Sequence, residues 1–319
     1  MTILARSPLQ FAVVREDPRV ERALIEELRP GRILLIGSGG CTALALRAWF
    51  PELDIVLLDP NPAQLAHVER KRAALASFDP RRFNIGSDAE DGLHESGNFE
   101  RLFRHFRGFL DRFVVPGEER ARRLAETESG WADVVAHPYW PVAFDVAFAD
   151  PLLRVMFGPM AVQHAEPGSY PAWFRGRIED GLSAEDRSVN PWLAHVVLGC
   201  YREDPAAWPP YLREQPTDRR PFECLGTGLL ELPSFASFDL VQLSNVPDWM
   251  DDGDCALLAR RLAADMAPGG AVLWRQLNDP RPLPRLFEPE FAFDPDRDAA
   301  LTGIERSLFY DRVHAGVRR

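Results

Sequence analysis

Apolar residues recur along the first eighty positions in two alternating rhythms. Val20, Leu24, Ile25 and Leu28 fall at helical spacing, and Asp17 followed by Pro18 supplies a cap and a first-turn proline for a helix from Glu16 to Leu28. Ile33 to Ile36, entered at Arg32, is a short branched run of the kind that forms a strand buried on both faces. Gly37, Ser38, Gly39 and Gly40 break that run, and Cys41 to Trp49 resumes helical spacing. Asp54 to Asp59 repeats the strand and Pro62 to Leu75 the helix. This β-α-β-α order predicts the opening half of a doubly wound sheet.

The alternation then stops. Asp79 to Arg220 reads as helices and loops, most clearly at Phe99–Phe113, Pro151–Phe157 and Pro191–Tyr201, and ends in a proline-rich connector from Ala206 to Pro221. Phe222–Leu225, Phe238–Leu243 and Ala271–Leu277 are further strands, with a helix over Asp254–Met266 between the last two. Ser307 to Val317 alternates apolar and polar positions as an edge or antiparallel strand does. The fold class expected is α/β: a Rossmann-like sheet whose first half is 1–78 and second half 221–319, interrupted by a mostly helical insertion over 79–220.

Composition narrows the function classes. Apolar residues make up 46% and charged residues 27% of 319, an ordinary globular balance. A formal charge of −11, from 37 basic and 48 acidic residues, disfavours nucleic acid as a partner. Cys41, Cys200, Cys224 and Cys255 are widely spaced and are expected as buried free thiols. No metal is expected, because His94, His105, His164 and His195 have neither ligand spacing nor a paired carboxylate in sequence. Met1 to Gln10 lacks the apolar run of a leader, and no stretch nears the roughly 18 apolar residues of a membrane span. The expected location is the cytoplasm.

Candidate chemistry starts at the glycine turn. Between a buried strand and a helix, Gly37, Ser38, Gly39 and Gly40 let the backbone approach a ligand, and the helix start offers free N–H groups. Asp59 ends the next strand, about twenty residues on, where a carboxylate meets the ribose hydroxyls of a bound adenosine. The glycine spacing is that of neither dinucleotide enzymes nor phosphate-binding loops, so an adenosine without phosphates fits, and S-adenosyl-L-methionine is the common one. The bland alternative is a tight turn and a helix-capping Asp.

Phe238 to Trp249, followed by a helix, the turn Ala267 to Gly270 and a strand, resembles the second half of class I methyltransferases. A narrower resemblance rests on Arg15–Pro18, Asp59–Gln64, Gly97–Phe103, Leu243–Met250 and Arg306–Tyr310, in that order. On these segments the chain resembles the S-adenosylmethionine:diacylglycerol 3-amino-3-carboxypropyltransferase family, whose founding members begin betaine-lipid synthesis. The likeness runs from about Phe11 to His314, and the run Asn61 to Gln64 after the ribose acid is its most specific element. It implies a transferase that moves the aminocarboxypropyl group of S-adenosylmethionine to a lipid or small-molecule acceptor and releases methylthioadenosine. The chain is shorter than that family in the insertion, and Gly226 to Gly228 stands where many class I enzymes have an acid for the adenine amino group.

Under this resemblance the cofactor-binding candidates are Arg15, Gly37, Ser38, Gly39, Gly40, Asp59, Asn61, Gln64, Ser244, Asn245 and Trp249. Arg15 suits the methionine carboxylate, with an ion pair to Glu16 or Asp17 as the alternative. Asn245 suits the methionine amino and carboxylate groups, and Trp249 can shield a sulfonium. The catalytic candidates are Asp248, Tyr310 and His314, as bases for an alcohol acceptor. Against these stand a helix cap at Asp248, a packed ring at Tyr310 and a surface histidine at His314. The same adenosine pocket serves methyl transfer, and a non-catalytic cofactor-binding module remains a third reading. Phe99 to Phe113 carries an apolar face flanked by arginines, which serves either as core or as a peripheral membrane contact.

Overall fold

The computed structural model describes residues 9–126 and 130–319. Met1 to Pro8, part of the segment read above for a leader, lie outside the described residues. Among the described residues seven strands form one mixed sheet: β1 (Arg32–Ile36), β2 (Asp54–Leu58), β3 (Glu223–Leu225), β4 (Leu240–Gln242), β5 (Ala271–Gln276), β6 (Phe291–Phe293) and β7 (Arg312–Arg318). Their order across the sheet is β3-β2-β1-β4-β5-β7-β6. The first five pair in parallel, and β7 runs antiparallel to both β5 and β6. Strand order reverses between β1 and β4, so a crevice opens beyond the carboxyl ends of those two strands.

Helices α1 (Arg19–Leu28), α2 (Cys41–Trp49) and α3 (Pro62–Ala74) follow the predicted rhythm within a few residues. Strand side chains alternate between two cores. Ile33, Leu35, Ile55 and Leu57 join Leu24, Leu44 and Val68 on one face, while Leu34, Val56, Val241 and Trp274 join Leu258 and Leu262 of the helix Asp252–Asp265 on the other. Both faces being covered explains why these strands read as continuous apolar runs. Strand β6, three residues long, was not among the expected elements, because Phe291 to Phe293 is too short to set a rhythm.

The insertion builds a third core, in which Leu102, Phe103, Phe106 and Leu110 of α4 (Asn98–Phe113) pack against Phe144, Phe148 and Phe174. Its arms behave differently. Phe83, Ile85 and Leu93 on the way out, and Tyr201, Tyr211 and Leu212 on the way back, belong to the core of the sheet. Conversely Phe309 and Tyr310, from the second half of the sheet, plug into the core of the insertion. The boundaries at 79 and 220 therefore follow the chain but not the packing. Phe113 is 47% exposed, whereas Phe103 and Phe106 are sealed, so most of the α4 stripe is core. Among the described residues no helix is long and apolar enough to cross a membrane.

Candidate functional site

A chamber of about 300 Å³ opens at the crevice between β1 and β4. Its floor is Ile36, Ser38, Asp59, Ser244, Asn245 and Leu277, at or just past the carboxyl ends of β1, β2, β4 and β5. The insertion roofs it with Phe99, Leu153, Phe157, Ala161, Tyr170 and Phe174. Phe99 and Phe157 meet Phe11 with ring centroids 5.6 and 6.2 Å away, and Phe309 closes the same cluster 5.7 Å from Phe99. The wall is thus apolar with a few fixed polar groups, as small-molecule sites are.

One wall comes from a segment whose role the sequence rhythm did not suggest. Residues Leu9 to Glu16 form a strap across the glycine turn, and Phe11, Val13, Val14, Arg15 and Glu16 face the chamber. Gln64, 2% exposed, holds the strap: its Oε1 accepts from the Gln10 and Phe11 N–H groups at 2.7 and 3.1 Å. Its Nε2 donates to the Phe11 and Ser38 carbonyls at 3.0 and 2.7 Å. With both ends of the amide occupied, Gln64 positions the strap and has little left for a ligand. Glu100 adds a bond from the Ala12 N–H at 2.8 Å, and the buried Lys71 ammonium donates to the Ala12 and Gly39 carbonyls.

The strap also accounts for two of the glycines. A Cβ at Gly39 would stand 2.8 Å from the Val13 and Val14 backbone, and one at Gly40, where φ is +73°, would strike Val68. Gly39 and Gly40 are thus spent on packing against the protein's own chain, and neither lines the chamber. Gly37, whose Cβ would press on Asp59 and Leu65, is likewise a packing glycine, which leaves Ser38 as the turn residue on the wall.

Asp59 stands at the predicted place, at the end of β2 and on the chamber floor. Its carboxylate accepts from the Asn61 N–H at 2.9 Å and the Ser38 N–H at 3.1 Å. Burial pushes its pKa up, and these two N–H groups oppose that shift. Each oxygen keeps a lone pair for a further donor. Asn61 caps α3 by accepting from the Ala63 N–H and is not on the wall.

Arg15 enters the chamber as a buried cation, 5% exposed. Neither predicted partner pairs with it. Its Nη2 meets His195 Nδ1 at 3.1 Å, and the nearest carboxylate is Glu100 at 3.7 Å. The Phe103 and Phe309 rings lie 4.6 and 5.2 Å from its guanidinium carbon. Nε and Nη1 are buried with no hydrogen-bond partner among the described residues. Behind it, His195 Nε2 stands 3.1 Å from Glu95, an acid a hundred residues away that the sequence did not pair with it. Burial lowers the His195 pKa to about 4, so at neutral pH the imidazole brings no charge to Arg15.

Glu16, the next residue, is a site residue that sequence reasoning treated only as a partner for Arg15. It lines the same chamber and belongs to a different cluster. Arg275, fully buried, pairs with Glu21 at 2.5 Å, Glu305 at 2.6 Å and Glu16 at 3.2 Å. Glu16 Oε2 also accepts from Gln242 Nε2 at 2.7 Å, and Oε1 meets the Ser244 hydroxyl. Burial pushes the Glu16 pKa up to about 7, with Arg275 opposing and Glu21 reinforcing the shift.

Ser244, Asn245 and Trp249 reach the wall as expected, and the Asn245 amide has no side-chain hydrogen bond among the described residues. The three catalytic candidates separate. Tyr310 lines the chamber, but burial drives its pKa well above the ordinary tyrosine value, so its hydroxyl serves as a donor and not a base. Asp248 lies behind the wall, where Oδ2 accepts from the Leu277 N–H at 2.7 Å and Oδ1 is buried without a partner. Burial pushes it up to about 8. Nor is it the helix cap, since Asp251 accepts from the Asp254 N–H at 2.8 Å. His314 is away from the chamber on β7, its two ring nitrogens 3.2 Å from Asp298 and 3.0 Å from Gln276. Cys224 is exposed and Cys200 half-buried, so only Cys41 and Cys255 are buried thiols.

Comparison with family models, with curated proteins and with solved structures finds no match to this chain.

Proposed function

We propose that the chamber binds S-adenosyl-L-methionine and that the protein transfers its 3-amino-3-carboxypropyl group to a hydroxyl or amine of a lipid or small metabolite, releasing methylthioadenosine. The observation that carries this reading is a chamber lined by both Asp59 and Arg15, a buried cation whose Nε and Nη1 have no hydrogen-bond partner among the described residues. A ligand with ribose hydroxyls and a carboxylate, but no phosphates, answers both. The strap over Gly39 strengthens the argument, because its backbone occupies the face of the turn that a pyrophosphate uses in dinucleotide enzymes. The sheet order and its antiparallel β7 also suit a class I methyltransferase-like, Rossmann-like core.

When bound, the cofactor supplies an electrophilic carbon on a positively charged sulfur. Asp59 accepts from the ribose, and Arg15 and Asn245 hold the amino-acid end. The aromatic roof excludes water and offers ring faces to a cation. Leu153, Phe157 and Phe174 suit an acceptor with an apolar body, whose orientation decides which carbon is attacked. Incubating the pure protein with S-adenosylmethionine and a lipid and metabolite extract tests the reading by product. Methylthioadenosine formed above the spontaneous rate supports it, S-adenosylhomocysteine points instead to methyl transfer, and neither product leaves no transferase.

A further inference from the structure

Three carboxylates surround Arg275, and their hydrogen bonds are not equivalent. Glu21 takes both arms of the guanidinium, at 2.5 and 3.0 Å, a bidentate arrangement that belongs to an ionised acid. Glu305 accepts from Arg275 Nε at 2.6 Å and from the Asp17 and Ser307 N–H groups, again donors only. Glu16 differs. Its Oε2 faces donors, Gln242 and Arg275, but Oε1 faces the Ser244 hydroxyl, which can accept a proton as readily as give one. One buried cation cannot balance three buried anions, so the proton that the cluster needs resides where an acceptor waits for it, between Glu16 and Ser244. Both residues line the chamber.

Resting on the cofactor reading above, we propose that Glu16, through Ser244, is the group that answers the cofactor's positive charge: it gives up its proton when the cofactor enters, and the carboxylate so formed receives the acceptor's proton during transfer. Of the carboxylates on the chamber wall, Asp59 is held at the ribose position, which leaves Glu16 free for this task. Ser244 Oγ takes the proton of the acceptor hydroxyl while passing its own to Glu16 Oε1. The bond formed joins the acceptor oxygen to the transferred carbon, and the bond broken is carbon–sulfur, its electron pair staying on sulfur. One positive and one negative charge vanish together in the transfer. The groups facing Glu16 are Glu21 from α1, Gln242 and Ser244 from β4 and its exit, Arg275 from β5, and Glu305 and Tyr310 from the C-terminal segment. Its ordinary value being displaced to about 7 agrees with a proton shared at neutral pH.

Calorimetric titration of the whole chain with S-adenosylmethionine at pH 7, in phosphate and in Tris, reads the proton directly. The expected result is release of about half a proton per cofactor, since a group with a pKa near the working pH is half protonated, and none with the uncharged thioether methylthioadenosine. Glu16→Gln abolishes the release, keeps the affinity for methylthioadenosine, and lowers product formation in the extract assay by about 10²- to 10⁴-fold, the range for loss of a general base. The wild-type titrations need no variant, so a misfolded Glu16→Gln leaves the test intact. S-adenosylmethionine binding with equal heats in both buffers, release that persists in Glu16→Gln, or turnover of that variant within tenfold of wild type overturns the inference while the cofactor reading stands. Failure to bind either ligand overturns both.

Discussion

Two buried guanidiniums stand beside the same strap, and they are used in opposite ways. Arg275 has three carboxylates within 3.2 Å, and its Nη2 also donates to the Asp17 carbonyl. Arg15 has one carboxylate at 3.7 Å, a neutral histidine, aromatic faces, and two donors with no partner among the described residues. A buried donor left unpaired costs about 1–3 kcal/mol, and among the described arginines with an unpaired Nε, Arg15 is set apart by leaving Nη1 unpaired as well and by lining the chamber. On the function proposed above, the comparison separates a cation that holds the fold from a cation that waits for an anion.

Removing Arg275 should do the greater damage. Arg275→Met leaves three carboxylates without their cation, and unfolding in urea at pH 7 should show a loss of about 3–5 kcal/mol, the range for breaking a buried pair. A loss no greater than that of Arg15→Met would erase the distinction between the two sites. Next in size is Asp59→Ala, which should weaken S-adenosylmethionine and methylthioadenosine alike, by about 1.5–3 kcal/mol, as for a hydrogen bond to a charged group. Calorimetry showing unchanged affinity in the folded variant removes Asp59 from the site.

The acid beside Arg15 gives a smaller, pH-dependent effect. The Glu16 pKa is raised in the folded chain from 4.5 to about 7, so the native state binds more protons than the unfolded state between those values. Its contribution to stability is therefore full below about 4.5 and lost as pH rises through about 7. Denaturant midpoints across that range should fall less steeply in Glu16→Gln than in wild type. The smallest effect belongs to Asp248→Asn, whose carboxylate sits behind the wall. Turnover should stay within about threefold, far short of the 10²-fold that losing a general base costs, and a larger drop would return Asp248 to the chemistry.

Much of the sheet was legible because its signals are local. Ile33–Ile36 and Asp54–Leu58 are continuous apolar runs, and Asp59 follows the second directly, so a strand and its terminal acid could be read together. Ser244, Asn245 and Trp249 were legible for the same reason, since β4 delivers them to one edge. The strap was not. Gln64 and Glu100 fix it by bonds that span 53 and 88 positions, and no periodicity marks such a bond. For Arg15 the nearest acids in sequence are Glu16 and Asp17, and folding turns each to a different cluster. Asp248 and His314 were named from their place in the chain, and burial behind Leu277 in one case and pairing with Asp298 and Gln276 in the other decide against a place on the wall. A signal for the Arg15 site was nonetheless present in the adjacent opposite charges of Arg15 and Glu16 just ahead of Pro18.

The central claim, that Arg15 keeps its donors for the carboxylate of S-adenosylmethionine, is tested most directly by titrating wild type and Arg15→Met with S-adenosylmethionine and with methylthioadenosine, which lacks the amino-acid end. The account predicts that the substitution weakens S-adenosylmethionine by about 1.5–3 kcal/mol, roughly tenfold to a hundredfold or more, and leaves methylthioadenosine within a factor of about two. Equal losses for both ligands, or no loss for either, would contradict it.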